Sequence, residues 1–375
     1  MAPDSPPHSP SLAQHARGGR ARLGAVQALA AMGLLSTLPG VLLALLLLGA
    51  QQRDIDTLDK RQRGQEYAAA VSRLLSAVPW HRDLSGRALL GDVSVEGTLR
   101  RAQAEVRSAL RELDATAAQQ GVALALVDRW SELRAQWELI ESQHSALTPA
   151  ANLEAHNRLL ADASTFLALV VQRSELLLEP AGGVHALSVC STLAIPTLAR
   201  HTGMLRAYGL LTASEVSPAQ RELVVRTLAD ARTALDQLEF SLAEAYAADR
   251  ATRAALEERA TRALEQVRRV LEEAEVAFAP GRPRDLDANA WFSATTQAVE
   301  ALEGVRDAAA TRVSSLLSER VQGLSERRLA TQALAVLVTA CTLLGVLVLG
   351  RSLLRDRSQK ARDAALPPLM MERLP

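Results

Sequence analysis

A chain of 375 residues in which 48% of the residues are hydrophobic but only 3% are aromatic must build its core from aliphatic side chains. This composition favours helices packed against one another, so we expect an all-α protein. Lysine plus arginine and aspartate plus glutamate number 42 each, which gives no net charge. The two cysteines, Cys190 and Cys341, are predicted to lie outside and within a membrane, respectively, which excludes a disulfide framework.

Two long uncharged stretches divide the chain. Residues 1–22 begin with a segment rich in Pro and Ser and are predicted to form a disordered cytoplasmic tail. Residues 23–50 and residues 329–350 carry no charged side chain. Each stretch exceeds the ~20 apolar residues that cross a bilayer as a helix, so both are predicted to be transmembrane helices. A cleaved signal peptide is the alternative for the first stretch, but its apolar run is too long for one.

Basic residues lie at the outer ends of both predicted spans. Cytoplasmic segments of membrane proteins are enriched in lysine and arginine, so both termini are predicted to be cytoplasmic. Residues 51–328 would then form a large extracytoplasmic domain, and residues 351–375 a short basic cytoplasmic tail. The residues concerned are Arg17, Arg20 and Arg22 before the first span and Arg351, Arg355, Arg357, Lys360 and Arg362 after the second.

Apolar residues of the middle domain recur at intervals of four and three, as in a heptad seam. The run from Val224 to Ala245 is one example, and similar runs begin at Leu256 and Val299. Helices with one apolar stripe bury it against one another, which predicts a membrane-anchored bundle of long helices. Turn residues place the helices near 52–90, 95–119, 123–147, 151–179, 184–212, 218–247, 250–279 and 287–328.

Enzyme motifs are mostly missing from the sequence. Gly86 to Gly91 has the spacing of a phosphate-binding loop, but Asp92 replaces the required lysine and no strand precedes it. The histidines of the middle domain show no metal-ligand spacing, so a metal site could form only between separate helices. We therefore expect no enzyme activity, no metal and no cofactor.

Several segments of the middle domain resemble the periplasmic sensor region of bacterial methyl-accepting chemotaxis receptors and related membrane signalling proteins. They are HRDLSGRALLGD at 81–92, the two tryptophans at 130 and 137, SELLLEP at 174–180, LAIPTLARHTGMLRAYGLL at 193–211 and WFSATTQAVEALEGVRDAAATRVSSLLSERV at 291–321. The resemblance implies a transmembrane sensory protein of the bacterial inner membrane. Its periplasmic domain would bind a small ligand and relay its state through the second span.

This chain departs from the family at two places. Only 25 residues follow Gly350, too few for an output domain, and the segment after Pro180 lacks the family's acidic and tyrosine residues. Three hypotheses remain: a sensory subunit that contacts a separate cytoplasmic signalling protein, a truncated or degenerate receptor, and a structural envelope scaffold. We expect membrane and ligand as partners, and no nucleic acid.

Small residues at Gly33, Thr37, Gly40 and Ala44 share one face of the first predicted span. Small residues let helix backbones approach closely in a membrane, which predicts a homodimer contact. Packing of this face against the second span is the alternative.

The stretch VPWHRDLSGRALLGD at 78–92 supplies the candidate ligand site. In one interpretation it is only a helix end, with Pro79 bending the helix and Gly91 capping it. In the other, three of its side chains face the predicted helix 184–212 and bind an acidic ligand, since arginine holds a carboxylate or oxyanion through two hydrogen bonds. The predicted ligand-binding residues are His81, Arg82, Arg87, His201 and Arg206.

Overall fold

The computed structural model describes residues 12–143, 146–179, 182–211, 218–278 and 287–363. Parts of the predicted tails, and residues 144–145, 180–181, 212–217 and 279–286, lie outside these ranges. All regular elements in these ranges are helical, which confirms the all-α class. The α-helices are α1 Leu12–Leu89, α2 Glu96–Gln120, α3 Val127–Gln143, α4 Pro149–Arg173, α5 Gly182–Val189, α6 Ile195–Leu211, α7 Pro218–Ala248, α8 Arg250–Ala277 and α9 Ala288–Asp363.

Two predicted helices are interrupted in the structure. The predicted helix 151–179 ends early, at Arg173, because Glu175 adopts the left-handed conformation with φ 57° and starts a short 3₁₀ turn. The predicted helix 184–212 contains a π-helical turn at Cys190–Ala194, which joins α5 to α6. Pro196 follows this turn and has no backbone N–H to continue a regular α-helical ladder, which accounts for the change of pattern there.

The chain divides into two compact units, one of residues 57–321 and one of residues 1–56 and 322–375. In the first unit, α7 packs against α5, α6 and α8. A hydrophobic core cluster of this unit contains the predicted seam of α7 from Val224 to Leu242, and the indole of Trp291 is fully buried there beside Gly209. The buried seam residues are Val224, Leu228, Ala231, Leu235, Leu238, Leu242 and Ala245.

The second unit pairs an apolar part of α1 with an apolar part of α9. Val346 lies 3.3 Å from the place where a Cβ on Gly33 would stand, and Gln51 donates a hydrogen bond to Thr331 at 3.1 Å. Gly33 of the small-residue stripe therefore packs against the second apolar segment of the same chain. Nothing lies within 4 Å of the corresponding position on Gly40.

Three helical segments of the described chain are long and apolar enough to cross a membrane. Ala31–Leu89 contains residues 31–50 of the first predicted span and Ala288–Ser352 contains the second span, and their most apolar windows are 6% and 0% buried. The third, Gly182–Gly209, is 56% buried within its window. Its apolar residues face neighbouring helices, as expected of a helix in the core of a bundle.

Candidate functional site

A cavity of about 660 Å³ lies within residues 57–321, between α1, α2, α4, α6 and α9. Six arginines and four glutamates contribute to its lining, together with an apolar surface. Of the predicted ligand-binding residues, Arg82 and Arg206 line this cavity. The other three lie elsewhere.

Asp83 holds the two cavity arginines together. Its Oδ1 accepts a hydrogen bond from Arg82 Nε and its Oδ2 one from Arg206 Nε, both at 2.7 Å. The side chains of Arg82, Asp83 and Arg206 are only 2%, 1% and 3% exposed. One buried carboxylate therefore serves two buried guanidinium groups, which leaves one positive charge in excess.

Each of the three guanidinium nitrogens of Arg82 donates a hydrogen bond, Nε to Asp83 and the other two to α4 and α6. Its Nη1 donates to the side chain of Asn157 at 2.8 Å and its Nη2 to the carbonyl of Gly203 at 2.9 Å. Arg82 thus ties α1 to α4 and α6. This role fits its nearly complete burial, because a buried charge is tolerated only when its donors are satisfied.

Arg206 donates fewer hydrogen bonds to the protein than Arg82 does. Its guanidinium lies over the rings of Trp80 and Phe292, 5.6 Å and 5.4 Å from their centroids, and its Nη1 donates to Thr296 at 3.1 Å. Among the described residues, none accepts a hydrogen bond from Arg206 Nη2. Arg206 can therefore offer a donor to a molecule in the cavity.

A second group of charges lines the cavity further along α9. Arg306 is buried and donates to the backbone and side-chain oxygens of Ser72 and Ser76, at 3.3 Å and 2.6 Å, and to exposed Asp307. Burial raises the pKa of the neighbouring Glu303, an effect that a hydrogen bond with Ser76 and the charge of Arg306 oppose. The charged form of this carboxyl is therefore poorly stabilised.

His81 belongs to a buried histidine pair and not to the cavity lining. Its Nδ1 lies 2.9 Å from Nε2 of His156, and His156 Nδ1 lies 2.8 Å from the carbonyl of Asn152. A carbonyl accepts only, so His156 carries its proton on Nδ1 and accepts a hydrogen bond from His81. Burial lowers the pKa of His156 to about 4, with a smaller effect in the same direction from Arg82. His156 is therefore neutral near pH 7, and the pair connects α1 to α4.

His201 and Arg87 make local contacts. His201 lies 3.2 Å from Arg200, and burial, together with the charge of Arg200, lowers its pKa to about 4. Arg87 binds Asp92 at 2.6 Å, just after the end of α1, where Gly91 has φ 92°. This end of α1 resembles the capped helix end that was the alternative interpretation.

Asp83, Trp80 and Thr296 are site residues that the sequence analysis missed. Asp83 directly follows Arg82, and neighbouring opposite charges are common on exposed helix faces, so the pair itself gave little indication of burial. Arg306 had a stronger indication. It lies next to Val305 in an apolar seam, where a charged residue is unusual.

Among the described residues, no group of three or more histidine, cysteine, aspartate or glutamate side chains is placed to hold a metal ion. The nearest approach to such a site is the pair His81 and His156. Their ring nitrogens bind each other and a backbone carbonyl.

No protein-family model matches the sequence, and no curated protein matches it. A similar solved structure is described as the structure of the NasR transcription antiterminator. It shares 16% sequence identity with this chain, with a TM-score of 0.60, over 88% of this chain and 90% of that one. The likeness is one of fold.

This likeness overturns the functional expectation from the sequence. The structure that matches nearly the whole chain is that of a transcription antiterminator, not that of a chemotaxis receptor. The predicted chemoreceptor-like sensor, which relays ligand binding across a membrane to a signalling partner, is therefore wrong. The exclusion of nucleic acid from the expected partners is wrong for the same reason.

Proposed function

We propose that residues 57–321 form an anion-binding domain, with the ligand held in the cavity beside Arg206. The observation that carries this proposal is the single carboxylate of Asp83 shared by two buried arginines. Burying an uncompensated charge is costly, and a bound anion would compensate it. Arg206 also has a nitrogen available for such a ligand. The proposed activity is binding and not catalysis.

The shape of Arg206 favours a carboxylate or an oxyanion as the bound group. A planar guanidinium donates two parallel hydrogen bonds to two oxygens of such a group. Thr296 adds a hydroxyl, and the rings of Trp80 and Phe292 hold the guanidinium plane in place. A spherical anion such as chloride should bind less tightly to this planar arrangement of donors.

Isothermal titration of the full-length chain in detergent tests the anion site, with acetate, nitrate, sulfate and phosphate as probes. We expect at least one probe to bind, and Arg206→Lys to weaken its binding about tenfold or more, because lysine keeps the charge but loses the paired donors. Arg129→Lys is the control, since Arg129 is exposed on α3. Equal affinities of the two variants, or no binding by the wild type, would refute the proposal.

We further propose that the apolar segments 23–50 and 329–350 anchor the chain in the bacterial inner membrane, with both termini in the cytoplasm. The support is their length and the exposure of their large side chains, such as Leu35 at 79% and Val336 at 70%. We expect the full-length chain to stay with membranes after alkaline carbonate extraction. A chain released to the supernatant would contradict the anchor and leave the anion site untouched.

The fold likeness to the antiterminator suggests no activity for this chain by itself. Folds host many functions, and the 16% identity supports a shared architecture only. The cavity residues are a property of this chain, and the proposed function rests on them.

A further inference from the structure

The cavity is much larger than the anion proposed above requires. Its volume of about 660 Å³ compares with about 30 Å³ for one water molecule in the liquid. Pockets for organic ligands measure about 300–1,000 Å³. An anionic group at Arg206 would occupy only one end of this space, so the rest of the ligand must fill the remainder.

Part of the cavity lining is apolar. Side chains from four helices supply this surface, which suits a carbon chain or ring better than a second ion. The residues are Leu75, Ala77 and Pro79 of α1, Leu160 of α4, Pro196 and Ala199 of α6, and Val299 of α9.

Two of the four glutamates that line the cavity lie on α9. Glu300 and Glu303 follow Thr296 on α9 by four and seven residues. A helix rises ~1.5 Å per residue, so these positions lie roughly 6 and 10 Å along α9 from the Arg206 end. The cavity therefore offers a guanidinium at Arg206 and carboxyl groups at Glu300 and Glu303, spaced along one helix, with Arg306 beyond Glu303.

Among the described residues, no arginine forms an ion pair with Glu303, whose charged form is favoured by a hydrogen bond with Ser76 and by the charges of Arg306 and Arg206. Arg306 is one turn away, but its guanidinium already binds Asp307, Ser72 and Ser76. Burial disfavours the charged form of Glu303 and raises its pKa. A cationic group entering the cavity would stabilise the carboxylate and remove this disadvantage.

We propose that the cavity binds an organic molecule with a carboxylate at Arg206 and a cationic amine at Glu303 and Glu300, roughly 6–10 Å apart. This inference rests on the proposed anion site and specifies its ligand class. Linear amino carboxylates and basic amino acids have this chemistry. The amine would favour the charged form of the Glu303 carboxyl.

A matched pair of probes tests the inference on the full-length chain in detergent. ε-Aminocaproate and caproate have the same carbon chain and carboxylate, but only the first carries an amine. We expect ε-aminocaproate to bind about tenfold more tightly than caproate, since a charge-assisted contact at a partly buried site is worth about that factor. In Glu303→Gln the two probes should bind within about twofold of each other.

Glu112→Gln is the control variant, because the Glu112 carboxylate lines the same cavity but is already bound by Arg73 at 2.5 Å. It should retain the preference for the amine. Equal binding of the two probes by the wild type would overturn the inference, and so would a preference that survives in both Glu303→Gln and Glu300→Gln. In either case acetate and the inorganic anions could still bind. Failure of every anion to bind would instead refute the proposed function.

Discussion

Replacement of Asp83 with asparagine is expected to lower the free energy of unfolding by about 3–5 kcal/mol, the usual cost of removing one partner from a buried ion pair. The size of Asn matches that of Asp, so the change is one of charge. Arg82 and Arg206, both almost fully buried, would lose their shared carboxylate. Chemical denaturation of the full-length chain, followed by circular dichroism, measures the change.

The pair Arg306 and Asp307 provides a matched control. It repeats the arrangement of an arginine followed by an aspartate that it binds, but the Asp307 side chain is 69% exposed. Exposed ion pairs contribute about 0–1 kcal/mol, so Asp307→Asn should cost no more than that. If both variants lost the same free energy of unfolding, the buried cluster of Arg82, Asp83 and Arg206 would contribute no more to stability than the pair of Arg306 and Asp307.

The proposed anion site also predicts how a bound probe changes the stability of Asp83→Asn. If a bound anion compensates the excess charge at Arg206, then a probe that binds the wild type should stabilise the variant by a larger amount. The reason is that the variant has two uncompensated guanidinium groups where the wild type has one. Stabilisation that is smaller in the variant would place the anion elsewhere.

The helices could be predicted because their apolar spacing reflects burial directly. Each seam position from Val224 to Ala245 is buried as its spacing requires. No apolar spacing in the sequence marked the left-handed conformation of Glu175 or the π-helical turn at Cys190–Ala194. Both depend on backbone hydrogen bonds, which the hydrophobic pattern does not report.

The candidate site was predictable in part. The interruption of a run of helix-forming residues at 78–92 drew attention to His81 and Arg82, and both are buried. Their partners could not be derived, because His156 and Asp83 are recognisable only when α1, α4 and α6 are packed together. The sequence analysis therefore assigned His81 to a ligand, whereas in the structure its imidazole binds a second imidazole.

The functional prediction failed for a related reason. The function was inferred from the resemblance of several segments to chemotaxis receptors. Helical seams and apolar spans of the kind that accompany those segments occur in proteins of many functions. A comparison of folds was needed to show that the same architecture also occurs in a transcription antiterminator. Residues of the cavity, such as Arg206 and Glu303, are more specific evidence than the spacing of the helices.

The buried histidine pair predicts that stability falls as the pH is lowered from about 6.5 to about 4. Burial holds the pKa of His156 at about 4 in the folded chain, whereas an unfolded histidine has a pKa of ~6.5. Between these values the unfolded chain binds the proton and the folded chain does not, so protonation favours unfolding. His156 alone should account for a loss of about 3 kcal/mol across this range, at ~1.4 kcal/mol for each unit of pKa.

His156→Gln removes the titration but keeps a side chain that can form hydrogen bonds, so its free energy of unfolding should vary less with pH than that of the wild type. His201, whose pKa is also lowered to about 4, leaves a residual slope. Exposed His185 provides the control, and His185→Gln should retain the full wild-type slope. Denaturation curves at several values between pH 4 and 7.5 would decide the question. If the wild type and His156→Gln showed the same slope, the pH dependence would have to arise from groups other than the pair that connects α1 to α4 beside the cavity.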